Sequence, residues 1–215
     1  MFLKISELIE KYNIKCHGVL HIGAHLCEEI NRYHKHLKLN NSQIIWVEAN
    51  PDLVKKISKI DKTIIVKNFI CCDKDTGTTK LKIANNGQSS SILKFGTHEK
   101  LYSNIKYTGY VSVKNNRIDN MYKTEKIPNN FANFLNLDIQ GAELLALKGM
   151  GNLINNFDYI YTEVNSDYVY KNCALVHEID DYLKKYNFIR VETYWVTKNG
   201  ESQGWGDAFY IKKNN

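Results

Sequence analysis

Glycine and acidic residues follow apolar runs of the chain, at positions where they could bind a nucleoside and move a proton. Gly23 comes after residues 18–22, Glu48 comes after residues 43–47, and Asp138 ends a later run. Glycine lets the backbone turn tightly and approach a ligand closely. A carboxylate such as Glu48 can accept hydrogen bonds from both vicinal hydroxyls of a ribose, and one such as Asp138 can meet an ammonium group or take a proton. These residue types predict a nucleoside site with acid–base chemistry beside it.

The residues after Gly23 indicate which kind of nucleoside is favoured. A dinucleotide-binding fingerprint has the pattern G-x-G-x-x-G, but His25 and Glu28 occupy the second and third glycine positions. Because a carboxylate such as Glu28 near a helix N-terminus would repel a phosphate, the sequence disfavours a pyrophosphate-binding enzyme. It favours a nucleoside without a pyrophosphate, of which S-adenosylmethionine is a common example. The alternative interpretation of Glu48, as the cap of a surface helix, stays open.

Short apolar runs alternate with amphipathic helical segments, and this alternation predicts the elements that position these side chains. Ile5, Leu8 and Tyr12 recur at helical spacing, and Asn50 with Pro51 is typical of a helix start. The pattern indicates an α/β protein with a mostly parallel central sheet, helices on both faces and an antiparallel C-terminal edge. Strands are predicted over residues 18–22, 43–47, 63–71, 131–137, 159–164, 188–196 and 208–212, with Gly204 and Gly206 between the last two, and helices over residues 26–37, 52–60, 141–148 and 176–186.

The middle third of the chain, about residues 74–125, does not follow this alternation. We predict a single domain over residues 1–215 with an irregular insertion or edge feature here. Residues 79–83 and 110–113 alternate like half-buried strands, and a polar loop precedes Ser91. In open α/β sheets ligands bind outside the carboxyl ends of the strands. The loop could therefore form a wall for a second substrate, or it could be a plain surface loop.

The composition excludes several classes of protein. Of 215 residues, 43% are hydrophobic and 24% charged, which is enough apolar material for a core. No run of about 18 apolar residues is present, and the N-terminal segment lacks the pattern of a secretory signal. The five cysteines are odd in number and form no CxxC pair, so we expect reduced thiols and a cytoplasmic protein. The net charge of +6 comes mainly from scattered lysines, which does not favour specific nucleic-acid binding.

Three segments of the sequence together resemble one known family. They are VLHIGAHLCEE from Val19, IIWVEANP from Ile44 and LNLDIQGAELLALKGM from Leu135. Weaker matches follow in the expected order: VKNNRIDNM from Val113, TEVN from Thr162 and GDAFYIK from Gly206. The chain resembles the FkbM-type methyltransferases over about residues 15–213, and the Asp-x-x-Gly-Ala-Glu segment is the most specific piece.

The resemblance implies a Rossmann-like class I methyltransferase that depends on S-adenosylmethionine and usually acts on a hydroxyl. Two positions depart from the family pattern. His21 stands where many such enzymes carry Asp, and Cys27 stands where Gly is common. The resemblance places His21, Gly23 and Ala24 beside the methionine part of the cofactor, Glu48 and Ala49 at the ribose, Cys72 and Asp73 by the adenine, and Asp138 near the methionine end and the reacting centre.

Methyl transfer to a hydroxyl needs a group that takes the proton, because a neutral hydroxyl is a poor nucleophile. The candidates for this catalytic base are Asp138, Glu163 and His25, in that order of preference. A metal-assisted alternative uses Asp138, Glu163 and Asn165 as oxygen ligands of Mg²⁺, which would acidify the hydroxyl. A reaction without a metal is favoured, and we predict no metal ligands.

The acceptor predicted from the resemblance is a sugar hydroxyl, in a free sugar, a nucleotide-linked sugar or a glycan precursor. Arg117, Lys94 and Lys114 are candidates for binding a phosphate of such an acceptor. One alternative is a methyltransferase of nucleic acid that acts on an RNA cap or ribose. Another is a non-catalytic nucleoside-binding protein with the same fold. Cofactor affinity, measured together with turnover on candidate acceptors, separates these interpretations.

Overall fold

A computed structural model describes residues 1–213 of the chain. Its main sheet has seven strands in the order β3-β2-β1-β7-β8-β10-β9. The first five of these strands run parallel, and β10 pairs antiparallel with both β8 and β9. The predicted α/β class with an antiparallel C-terminal edge is therefore confirmed. The strands of this sheet are β1 (Val19–Ile22), β2 (Ile44–Val47), β3 (Ile65–Lys67), β7 (Phe134–Leu137), β8 (Tyr159–Asn165), β9 (Phe188–Lys198) and β10 (Glu201–Lys212).

Helices cover both faces of this sheet, because the central strands are buried on both sides. The helices are α1 (Ile5–Tyr12), α2 (Ile30–Arg32), α3 (Pro51–Ile60), α4 (His98–Leu101), α5 (Ile118–Thr124), α6 (Glu143–Met150) and α7 (Val176–Lys184). One apolar cluster joins Leu20 and Ile22 to α5, α6 and α7, and another joins Val19 and Trp46 to α1 and α3. The start of α3 is as predicted: the Asn50 side chain accepts a hydrogen bond from the backbone N–H of Asp52.

The helix predicted over residues 26–37 begins later than expected. Residues 24–29 form turns instead, with positive φ angles of 46° at His25 and 60° at Cys27. The α-helical part is only α2, and a π-helical turn over Tyr33–Leu37 continues it. The predicted helix is therefore present over residues 30–37, but residues 24–29 next to β1 do not adopt helical geometry.

The strand predicted over residues 63–71 is wrong as a single strand, because the chain divides at Asn68. The Asn68 side chain donates hydrogen bonds to the carbonyl oxygens of Glu48 (2.8 Å) and Ala49 (3.0 Å), where the chain leaves the main sheet. The preceding residues form β3, and the following ones form β4 (Ile70–Cys71), which belongs to a second sheet.

The second sheet contains most of the regular structure of the predicted insertion. Its three strands lie in the order β4-β6-β5, with β5 at Thr78–Ala84 and β6 at Tyr107–Asn116. The antiparallel β5–β6 pair is longer than the sequence pattern indicated. Near the C-terminus, Gly204 and Gly206 lie within β10, not before it as predicted, and Asn199 with Gly200 forms the turn instead. Across residues 1–213, no helix has the length and apolar character to cross a membrane.

Candidate functional site

The three positions singled out by the sequence come together at the carboxyl ends of neighbouring parallel strands. Gly23 follows β1, Glu48 follows β2 and Asp138 follows β7, and all three line one cavity. Residues from the second sheet and its connecting loop form the other side of this first cavity. Those residues include Cys71, Leu81, Gly87, Gln88, Ser91 and Ile92.

Glu48 is 8% exposed, and backbone hydrogen bonds hold its carboxylate at the cavity. One oxygen accepts from the N–H of Asn50 (2.6 Å) and the other from the N–H of His25 (2.8 Å). Burial raises the pKa of Glu48, and these N–H groups oppose that rise. Because each carboxylate oxygen has two lone pairs, one remains on each oxygen for a pair of ligand hydroxyls.

Gly23 is required by the close approach of β1 to the segment after β7. Its φ angle is +94°, which residues with a side chain rarely adopt. A Cβ atom at this position would lie 1.8 Å from the carbonyl oxygen of Asp138. The absence of a side chain at Gly23 therefore allows the segment at Asp138 to lie close against β1 beside the first cavity.

Asp138 and Glu163 lie together, and one side-chain amide joins them. The Nε2 group of Gln140 donates to Asp138 (2.7 Å) and to Glu163 (2.9 Å). The hydroxyl of Tyr170 donates in turn to the Gln140 carbonyl oxygen. Gln140 has a positive φ angle of 57°, so the turn after β7 directs this amide toward both acids. No feature of the sequence besides its place in the Asp-x-x-Gly-Ala-Glu segment identified Gln140.

Burial makes these carboxyl groups weaker acids than usual. Desolvation raises the pKa of Asp138, and it raises that of Glu163 well above its ordinary value, with repulsion from Asp138 as a further cause. Glu143 is buried behind them, and desolvation raises its pKa to about 7. Neighbouring acids with raised pKa values share protons and are suited to general-base chemistry near neutral pH.

The acid cluster also has the composition of a metal site. Asp138, Glu143 and Glu163 each offer an oxygen within 4.8 Å of the others. Each of the three acids also accepts at least one hydrogen bond from a protein donor. Glu143 accepts from the backbone N–H groups of Ile139 (3.0 Å) and Gly141 (3.1 Å), and the Gln140 amide bridges the other two. Glu143 thus caps the turn before α6. A proton shared between Asp138 and Glu163 is sufficient to relieve the repulsion between these two carboxylates.

His21 lies in a hydrogen-bond chain that keeps its imidazole neutral. Asn136 donates to the hydroxyl of Tyr33 (2.7 Å), and that hydroxyl bonds to His21 Nδ1 (2.9 Å). The His21 ring stacks on Trp46 at 4.5 Å, and burial lowers its pKa to about 3. His21 therefore offers a ligand a neutral ring, where an Asp would offer a negative charge.

A second cavity of about 410 Å³ adjoins the first and shares Gly23, His25 and Asp138 with it. Two of the predicted cofactor neighbours, His21 and Ala24, line this second cavity. It continues over the ends of β8 and β10 toward α4. Further residues on its wall include Glu29, His98, Tyr102, Tyr170, Trp205 and Asp207, of which Glu29, Tyr170, Trp205 and Asp207 were not identified from the sequence as site residues.

The structure brings most of the predicted site residues to these two cavities. Ala49 lines the first cavity, Glu163 lines the second, and His25 lines both, with its Nδ1 bonded to Glu28. Cys72 and Asp73 line neither cavity, and the neighbouring Cys71 lines the first instead. Cys72 follows the end of β4 and packs with Leu81 and Val113 in an apolar cluster instead.

The sheet order, the parallel strands and the antiparallel C-terminal pair are those of class I methyltransferases. The sequence matches the methyltransferase FkbM domain family over residues 21–190, which is most of the chain. The chain therefore belongs to the FkbM methyltransferase family, and the resemblance found in the sequence is confirmed. Among curated proteins, none matches the sequence of this chain.

Solved structures show the same fold at low sequence identity. An FkbM methyltransferase from Methylobacillus flagellatus KT is 14% identical with a TM-score of 0.52, and the match covers 91% of this chain and 43% of that one. A fibrillarin/Nop5p complex gives 11% identity and a TM-score of 0.52, with 92% and 73% coverage. The methyltransferase domain of the bacterial protein CtHen1-C gives 8% and 0.51, with 98% and 95% coverage. This chain thus spans less than half of the Methylobacillus protein, and these similarities concern the fold alone.

Proposed function

We propose that this chain is an O-methyltransferase that uses S-adenosylmethionine and methylates a sugar hydroxyl. The observation that carries the proposal is the convergence of Gly23, Glu48 and the Asp138–Glu163 pair on two adjoining cavities. The first cavity has a carboxylate with free lone pairs for a ribose and apolar walls for an adenine. The second has room for the methionine end and an acceptor, within the usual size range of ligand pockets.

Different residues of the chain would bind the cofactor and remove the proton of the acceptor. Glu48 would hold the ribose hydroxyls, while His21, Gly23 and Ala24 would lie along the methionine part. Bound S-adenosylmethionine supplies a methyl group on a sulfonium, so the protein has to align the acceptor and remove its proton. Cys72 and Asp73 would contribute to the adenine region only indirectly, since neither lines the first cavity.

Asp138 is our candidate for the catalytic base. It lines both cavities, and the Gln140 amide fixes its orientation through a 2.7 Å hydrogen bond. Its raised pKa makes it a stronger base than an exposed aspartate. Glu163 would share the proton with Asp138, and His25 is the alternative base, whose Nδ1 is bonded to Glu28 and whose Nε2 would take the proton.

Calorimetry with S-adenosylmethionine and its demethylated product tests the cofactor part of this proposal. We expect Glu48→Gln to weaken binding of both by about tenfold, because one ribose hydrogen bond to a charged group is lost. Glu10→Gln, at an exposed position on α1, is the matched control and should bind normally. Absence of heat with either ligand in the wild-type chain would refute the proposal.

Mass spectrometry of reactions with a panel of sugars tests the acceptor part. The expected product is a sugar that is 14 Da heavier and methylated on oxygen, together with the demethylated cofactor. Cofactor binding without methylation of any sugar would contradict a sugar acceptor and leave the methyltransferase assignment intact.

A further inference from the structure

Acidic side chains outnumber basic groups on the wall of the second cavity, although the chain as a whole has a net charge of +6. Within residues 1–213, no lysine or arginine is among the residues that line it, although Met1 is, and its α-amino group acts on Glu29. Phosphate groups are usually held by arginine, lysine or clustered N–H donors, so this lining disfavours a phosphate-bearing acceptor. The carboxylates on its wall belong to Glu28, Glu29, Asp138, Glu163 and Asp207.

Glu29 differs from the other acids of the cavity because it has no hydrogen-bond donor from another residue in the described part of the chain. The other four accept hydrogen bonds from protein groups, such as the Gln140 amide and the Tyr161 hydroxyl. Glu29 is half-buried beside the start of α2, and burial raises its pKa, with the α-amino group of Met1 opposing that rise. A partly buried carboxylate without a partner is stabilised when a cation pairs with it.

His98 on α4 is a second and independent indication of a ligand in the same cavity. It lines the cavity, is 4% exposed, and its Nδ1 has no hydrogen-bond partner among residues 1–213. Its ring stacks on Phe95 at 4.3 Å, and burial lowers its pKa, which favours the neutral imidazole. A neutral imidazole has one donor and one acceptor nitrogen, which suits a hydroxyl group.

The aromatic residues near His98 complete a wall for a ring with hydroxyl groups. Trp205 donates from its indole N–H to the hydroxyl of Tyr102 (3.1 Å), and both side chains line the cavity. Rings of this kind present an apolar face beside a polar edge. The wall therefore combines apolar faces with neutral hydrogen-bonding groups, while Glu29 is its one acid without a side-chain or backbone donor from another described residue.

We propose that the acceptor is an amino sugar whose ammonium group pairs with Glu29 and whose hydroxyls reach His98. This proposal rests on the proposed function and specifies its substrate class. It distinguishes the free amino sugar from neutral sugars and from nucleotide-linked sugars, whose phosphates would meet the carboxylates of the cavity. The methyl group still goes to a hydroxyl, and the ammonium serves for recognition only.

The test compares three probes by calorimetry on the chain saturated with S-adenosylhomocysteine. The probes are methyl glucosaminide, methyl glucoside and glucose 6-phosphate at neutral pH. We expect the glucosaminide to bind at least about tenfold more tightly than the glucoside, since a charge-assisted hydrogen bond is gained, and the phosphate to bind most weakly. Equal affinities for the first two probes, or no binding of the glucosaminide, would overturn the proposal.

Two variants connect this preference to the named residues. Glu29→Gln should bring the affinities for glucosaminide and glucoside within about twofold of each other. His98→Phe should weaken the binding of glucosaminide and the binding of glucoside to the same extent. Glu10→Gln on exposed α1 should keep the preference. A preference that survives in Glu29→Gln contradicts the assignment, and so does a loss of S-adenosylhomocysteine affinity in that variant, because Glu29 would then hold the cofactor.

The same experiment separates failure of this inference from failure of the proposed function. If S-adenosylhomocysteine itself gives no heat, the proposed function fails. If it binds and the sugars bind without regard to the amino group, only the inference fails. Methylation of the amino nitrogen, located by fragment masses, would also overturn the inference, because the ammonium would then be the reacting group.

Discussion

At the scale of single residues, the ionisation of buried acids governs what this site can do. Gln140 offers one amide to both Asp138 and Glu163, and desolvation raises the pKa of each acid. Two such carboxylates hold a proton more readily than exposed ones do. Activity that depends on Asp138 as a base should therefore fall as the pH is lowered and the pair becomes protonated.

Replacement of Asp138 by Asn should reduce turnover by at least about a hundredfold, the usual scale for loss of a general base. The amide keeps an oxygen that can accept the Gln140 hydrogen bond, so the fold and the cavity shape should persist. Steady-state rates give the effect on turnover, and calorimetry with S-adenosylhomocysteine gives cofactor affinity. Asp52→Asn, at an exposed position on α3, is the control. A near-normal rate in Asp138→Asn would remove this residue from the role.

Glu143 should make the stability of the chain depend on pH. Its folded-state pKa of about 7 exceeds the ordinary 4.5, so folding takes up a proton between these values. The free energy of unfolding should fall as the pH rises from about 4.5 to about 7, by on the order of 2 kcal/mol from this group. Glu143→Gln should remove that part of the slope, as measured by urea unfolding at pH 5 and pH 8. An unchanged slope would show that Glu143 ionises normally.

At the scale of elements, close backbone contacts connect the second sheet to the main one. Gly149 on α6 faces the end of β4, and a Cβ atom there would lie 2.1 Å from the carbonyl oxygen of Cys72. The Ser91 hydroxyl donates to the carbonyl oxygen of Gln140 (2.7 Å), which joins the loop after β5 to the acid cluster. The loop of the second sheet thus lies directly on the site.

Gly149→Ala should destabilise the chain by about 2 kcal/mol, because a backbone oxygen cannot rotate away from the added methyl group. Because alanine has a better helix propensity than glycine, the variant would gain stability if the contact between position 149 and the Cys72 carbonyl oxygen were loose. Urea unfolding measures the difference. Gly109→Ala on exposed β6 is the matched control, since nothing lies within 4 Å of its Cβ position, and it should change stability by less than about 0.5 kcal/mol. Equal stabilities of the two variants would contradict the packing argument.

At the scale of the whole molecule, both sheets contribute to one ligand site. Gly23 and Glu48 come from the main sheet, whereas Leu81 and Ser91 come from the second sheet and its loop, and all four line the first cavity. A ligand in this cavity therefore contacts two parts of the structure at once. The β9–β10 hairpin lies at the other edge of the main sheet.

Binding of S-adenosylhomocysteine should slow amide hydrogen exchange in residues 87–92 as well as in residues 23–25. Both segments line the first cavity, and a ligand that binds only the folded state lowers the population of locally open forms. Exchange in the β9–β10 turn at residues 198–201 should stay the same and serves as the internal control. Protection confined to residues 23–25 would indicate that the second sheet does not take part in binding.

The sequence by itself determined the α/β class, most strands of the main sheet and the residues at the ends of β1, β2 and β7. Apolar runs of four or five residues and the Asn50–Pro51 helix start are local features, so they are readable without a structure. Gly23, Glu48 and Asp138 were identified because parallel strands bring their carboxyl ends to one edge of the sheet.

Only the tertiary structure decided how the site is closed and how its acids are held. The break at Asn68 depends on hydrogen bonds to Glu48 and Ala49, and it separates β3 from β4, whose residue Cys71 lines the first cavity. The pairing of Gln140 with Asp138 and Glu163, and the free carboxylate of Glu29, result from long-range packing. Such contacts join residues far apart in the chain, so neither periodicity nor local spacing determines them.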